Sequence, residues 1–225
     1  MFSNRYFQNS FAKFLQKVKT PPSIKINVGF IALEIITTYT TVVSVADIWI
    51  NIFSKNIYTM FNYVRSIPVV ALYLFVPLIL KYVSVNKIFY TNAVAQFVSC
   101  VMFMFIPAMK VKLGRDAALA ITILFLLISA VGSTVCSTAT FAFAAEFSNQ
   151  TVQFYITGLS VSNLFYGVYF LPFPNIVKNL QIRMICYFIL PLVVHIASII
   201  IFYFSSKKVP KKEERVEILN FRKES

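Results

Sequence analysis

One carboxylate, one imidazole and several runs of hydroxyls stand in stretches that are otherwise apolar. Between Val28 and Ile50, Glu34, Thr37, Thr41 and Ser44 recur at steps of three and four, which sets them on one helical face, with Thr40 beside them. Asp47 and Trp49 close the far end of that stretch. A second stripe, Ser129, Ser133 and Ser137, runs with Gly132, Cys136, Thr140 and Ala144 at a spacing of four. A third comprises Thr157, Ser160 and Asn163, with Gly158, Ser162 and Gly167 close by. Such hydroxyls can hydrogen-bond a small polar solute, the Tyr39 or Trp49 ring can stack on a planar one, and Glu34 can carry a proton.

Two readings compete for these stripes. Small residues every four positions let helix backbones approach closely, and hydroxyls can bond across helices for roughly 1 kcal/mol; most of the second stripe fits that account. Glu34 does not, because an ionised carboxylate at mid-helix in a bilayer costs about 2.5–3.5 kcal/mol and is tolerated where it faces a wet cavity or a partner. The candidate solute-binding set is therefore Glu34, Thr37, Thr40, Thr41, Ser44, Ser137 and Thr157, lining a hollow shared by the first, fourth and fifth apolar stretches. His195, the one histidine, reads either as a proton relay or as a donor to a neighbouring helix. Cys100, Cys136 and Cys186 all fall inside apolar stretches and offer neither a disulfide framework nor a zinc site, so no metal or cofactor is expected. No HExxH, GxSxG or pair of intramembrane aspartates occurs, and an enzyme is not expected.

The elements that must position these residues follow from composition. Of 225 residues, 58% are hydrophobic and 24 are Phe, more apolar surface than a soluble domain of this size needs. Six stretches are long enough to cross a hydrocarbon core of about 30 Å: Val28–Ile50, Tyr58–Val83 (cleanest from Ile67, because Arg65 interrupts it), Ile88–Met109, Ala117–Ala145, Val152–Phe173 and Arg183–Phe204. Strand-type alternation is absent, and only helices satisfy their backbone in lipid for runs of this kind. The expected fold is all-α: a six-helix transmembrane bundle over 27–204, between a basic segment 1–26 and a charged tail 205–225.

The net charge of +13 is juxtamembrane and does not call for nucleic acid. Arg5, Lys13, Lys17, Lys19 and Lys25 precede the first stretch, and Lys207, Lys208, Lys211, Lys212, Arg215, Arg222 and Lys223 follow the last. With Lys81 and Lys87 they outnumber the basic residues of the opposite side, so both termini are expected in the cytoplasm, of a plasma or internal membrane. The first 26 residues lack a signal-peptide core. They read as an amphipathic surface helix (Phe7, Phe11, Phe14, Leu15) ended by Pro21 and Pro22, or as a disordered tail. The sequon Asn149-Gln-Thr151 falls on the cytoplasmic side of this topology and is expected to be silent, and Glu146 is placed in a watery turn.

The order of residue types resembles the equilibrative nucleoside transporter family. Ser137-Thr-Ala-Thr-Phe-Ala-Phe-Ala-Ala-Glu-Phe-Ser148 stands where that family has a Gln-Gly-Ser-Leu-Phe-Gly pattern, and Thr157-Gly-Leu-Ser-Val-Ser-Asn163 follows without a gap where it has Ser-Gly-Gln-Gly. Thr37 to Trp49 stands at the family's Leu-Leu-Pro-Trp-Asn motif, and Pro68 near the start of the second stretch matches a family proline. The departures fall on nucleoside-contacting positions: Pro-Trp-Asn is replaced by Tyr39-Thr40-Thr41, and the two glutamines by Ser137 and Leu159. The resemblance spans the first six of the family's eleven helices. It implies a major-facilitator-like bundle that moves a nucleoside or nucleobase by alternating access, working with a second copy or a separate partner half. A non-transporting structural or regulatory membrane protein that keeps the fold is the alternative. The basic loop Lys110–Asp116 also resembles that of major facilitators, though there it sits after the second helix.

Overall fold

The computed structural model describes residues 22–170 and 177–206. The expected amphipathic segment at the N-terminus and the charged tail lie outside them. The described chain forms seven helices and no strand: α1 (Pro22–Ser44), α2 (Ala46–Ile52), α3 (Ile57–Tyr82), α4 (Val85–Leu113), α5 (Arg115–Phe147), α6 (Asn149–Phe170) and α7 (Leu180–Ser206).

Local chemistry explains most of the boundaries. Pro22 opens α1, where a missing N–H costs nothing. Near its other end Thr37, Thr40 and Thr41 each donate to the carbonyl four residues back, a pattern that bends helices. The helix then gives way at Val45 (φ −99°, ψ 29°), so the first expected stretch is two helices rather than one, and Asp47 and Trp49 belong to the short α2. Gly114, at φ 89°, supplies the left-handed turn between α4 and α5. Ser148 caps α6: its Oγ accepts from the Thr151 N–H at 3.2 Å. Glu146 lies in the last turn of α5 rather than in a loop; only its backbone is described.

Pro107 stands inside α4, a position that normally breaks a helix. Gln181 of α7 repairs the adjoining turn: its Oε1 accepts from the Ala108 N–H at 3.0 Å, and its Nε2 donates to the Met104 carbonyl at 2.7 Å. The amide thus replaces the one helical bond it separates, and ties α7 to α4.

Among the described residues five helices are long and apolar enough to cross a membrane: Ile24–Ser44, Ile57–Val76, Val85–Leu113, Arg115–Ala145 and Leu180–Phe204. The chain is an all-helical, multi-pass integral membrane protein. The remaining long helix, α6, is interrupted by Gln153, Thr157, Ser160 and Asn163 and is not among the five, where six spans were expected. It packs along α1 all the same. α4 packs between α5 and α7, and α1 contacts α5, α6 and α7.

Apolar residues cluster toward both ends of the bundle. At one end Trp49, fully buried, donates Nε1–H to the Val42 carbonyl at 2.9 Å and meets Phe61 and Phe103 edge-on, with Tyr187 and Phe188 in the same cluster. At the other, Ile31, Ile35, Phe89 and Phe202 pack together. Between the two lies a layer of polar side chains.

Candidate functional site

The polar layer is built from the middle turns of four helices. Glu34 of α1 is fully buried. Both its oxygens accept from the Asn92 amide of α4 at 3.2 Å, and Oε1 also lies 3.0 Å from His195 Nδ1 of α7. With Nδ1–H given to the carboxylate, the other ring nitrogen meets Thr38 Oγ1 at 2.9 Å. A neutral ring accepts the hydroxyl proton there, and an imidazolium donates to the oxygen. Thr38 Oγ1 is also 3.4 Å from Cys100 Sγ.

The layer continues through α4 into α5. Gln96 Nε2 donates to Asn92 Oδ1 at 3.1 Å and to the Ser129 carbonyl at 2.8 Å, while Ser129 Oγ donates back to Gln96 Oε1 at 2.7 Å. Ser99 Oγ reaches the Phe125 carbonyl at 3.3 Å. Gly132 makes the room: a Cβ there would stand 2.8 Å from Asn92 Oδ1. The α5 stripe is therefore a packing surface for amides on α4, and the carboxylate, imidazole and two amides form one continuous hydrogen-bonded network inside the bundle.

This placement corrects the expectation of a hollow shared by the first, fourth and fifth stretches. The buried face of α1 (Glu34, Thr37, Thr38, Thr41) includes the side chains that meet α4 and α7, the third and sixth stretches, which were not part of the expected hollow. Thr37 and Thr41 use their hydroxyls on their own helix. Ser137 is 2.6 Å from Tyr155 OH of α6, Thr157 is exposed, and Ser44 is exposed at the end of α1. Glu34, Ser137 and Thr157 thus do not converge. Trp49, offered as a stacking ring, is sealed in the core. Asn92, Gln96 and Ser99 were missed although their spacing of four and three is the same signal that singled out α1, because the flanking Val and Phe residues masked them.

A second polar group lies on another side of α1. The Arg65 guanidinium of α3 sits over the Tyr39 ring, 3.1 Å from its centroid, and Tyr39 OH donates to Asn62 Oδ1 at 3.1 Å. Beside it Thr40 Oγ1 is 3.4 Å from Asn163 Oδ1 of α6. At the end of the bundle, Arg183 pairs with Asp47 at 3.1 Å and ties α7 to α2. A cleft of about 620 Å³ opens near there, lined by Pro107, Lys110, Lys112, Asn179 and Gln181 among others.

The Ser137–Tyr155 contact is a side-chain bond between helices at a partly open site. Tyr155→Phe is expected to lower stability by only about 0.6–1 kcal/mol, read as a small drop in thermal unfolding midpoint in detergent.

No family model, curated protein or solved structure matches this chain.

Proposed function

We propose that the chain is one bundle of a membrane carrier that moves a small solute, of the nucleoside or nucleobase class, by alternating access against a second copy or a separate partner half. In this reading α6 is the sixth crossing, and both termini face the cytoplasm. The observation that carries it is the Glu34–His195 pair, 3.0 Å apart and fully buried between two helices able to cross a membrane. Ionisable groups there are expensive, and they commonly mark proton or solute pathways. Glu34 with His195 holds the coupling proton, and the half-buried Tyr39 and Thr40 stand toward the solute.

The test is uptake of labelled adenosine or hypoxanthine into liposomes holding the purified chain, with and without an inward proton gradient. Gradient-stimulated entry that Glu34→Gln abolishes is the expected result. Absence of entry, alone and with a co-expressed candidate half, would sink the reading.

A specific observation favours the non-transporting alternative. The hydroxyls of Thr37, Thr41 and Ser137 are already engaged within the protein, which suits a structural or regulatory membrane protein. Co-purification with a fixed partner, and an unfolding midpoint that no nucleoside shifts, would identify it.

A further inference from the structure

Arg65 carries a permanent charge about 12 Å from the start of a membrane-crossing helix that rises 1.5 Å per residue. Among the described residues no carboxylate meets it. Asp47 is taken by Arg183, and Glu34 is bonded to Asn92 and His195 on a different face of α1. What Arg65 does contact is the π face of Tyr39, and stacking uses only the flat side of a guanidinium. Its N–H groups make no hydrogen bond or ion pair among the described residues.

The neighbouring groups are chosen in the same sense. Asn62 stands one helical turn before Arg65, and its carbonyl oxygen is occupied by Tyr39 OH. Its amide N–H groups make no hydrogen bond among the described residues. The cluster offers unused N–H donors on Arg65 and Asn62 beside a permanent positive charge, at a half-buried place on a helix able to cross a membrane. The complement of such a set is an oxyanion, and a planar guanidinium takes one through two parallel hydrogen bonds.

We propose that Arg65, Asn62 and Tyr39 form a binding site for a phosphate group, presented by a lipid headgroup or by a soluble phosphate ester. Tyr39 positions the guanidinium and turns the Asn62 amide outward; Arg65 and Asn62 hold the phosphate oxygens. The site does not depend on the carrier reading and is tested without transport.

The full chain in neutral phosphatidylcholine nanodiscs is titrated with inorganic phosphate and with adenosine monophosphate. In parallel it is moved to nanodiscs containing phosphatidic acid, with retained lipid counted by native mass spectrometry. Saturable binding is expected, weakened about tenfold or more by Arg65→Gln and less by Arg65→Lys. Asn62→Asp places a carboxylate one turn from Arg65; it is expected to abolish binding while keeping or raising the unfolding midpoint, so loss of binding is not loss of fold. Binding of the soluble anions that phosphatidic acid blocks means a site open to both sources. Retention of phosphatidic acid alone assigns the lipid, and binding of the soluble probes alone assigns the ester. No saturable binding of any probe, or equal binding by wild type and Arg65→Gln, overturns the proposal.

Discussion

Glu34→Leu is expected to lower the stability of the folded bundle by about 3–5 kcal/mol, the cost of removing one partner from a buried, hydrogen-bonded ionisable pair. The substitution leaves His195 Nδ1–H and the Asn92 amide pointing into a volume filled by an apolar side chain. Simple pair counting gives less. Interhelical hydrogen bonds in membranes average about 0.6 kcal/mol, so the three contacts to Glu34 would sum to roughly 2 kcal/mol. The larger figure wins because both groups are fully buried and have no water to turn to. The double variant Glu34→Leu with His195→Leu separates the two accounts. It removes the orphaned imidazole along with its partner, and should recover about half of the loss. Unfolding midpoints of the two single variants and the double variant, measured in bicelles, decide it. A single-variant loss below 1 kcal/mol, or strictly additive losses, would show that the pair is not coupled.

The network also explains how far the sequence was readable. Helices and membrane insertion were legible, because long apolar runs leave the backbone no other way to satisfy itself. Five of the six expected stretches reappear as helices able to cross a bilayer, with ends displaced by a few residues. The remaining one, Val152–Phe173, was read from its length, and its polar interruptions keep it from the same standing.

The partners of Glu34 were hidden for a different reason. Helical periodicity reveals which residues share a face, but not which helix that face meets. Glu34 was singled out correctly as anomalous, and the nearest polar stripes in sequence, on α5 and α6, were assigned to it. In the fold α1 presents Glu34 to α4 and α7, where the side chains that join its network are Asn92, Gln96 and His195. A lone histidine and an Asn/Gln pair spaced by four, each surrounded by Phe and Val, carry little weight in composition. Their significance is that a buried carboxylate must find donors, and among the polar side chains of α4 and α7 these are the ones at matching depth.

The Arg65–Tyr39 pair was half legible. Arg65 was noticed as an interruption in an apolar run, and Tyr39 as an aromatic able to stack on a planar group. That one would stack on the other requires α3, which packs mainly on α5, to bring Arg65 to the height of Tyr39 on α1, which no single-helix pattern encodes.

Small residues were read as devices for close approach, and one of them sets the tightest contact. A Cβ on Gly158 of α6 would stand 2.2 Å from the Gly29 carbonyl oxygen of α1 and 3.0 Å from Ala32 Cβ. The first obstacle is backbone, so no side-chain rotation relieves it. Gly158→Val is therefore expected to push α6 off α1 and to cost about 3 kcal/mol, the upper end of the overpacking range. Gly132→Ala, by contrast, meets the Asn92 side chain, which can shift at the expense of its bonds. Because α6 is the least apolar of the long helices, its place along α1 depends on this contact more than on lipid. The variant should show this directly: a cysteine pair engineered across α1 and α6 crosslinks efficiently in the wild-type background, and much more slowly with Gly158→Val. Unchanged crosslinking and an unchanged unfolding midpoint would mean that α1 and α6 do not meet at Gly29 and Gly158.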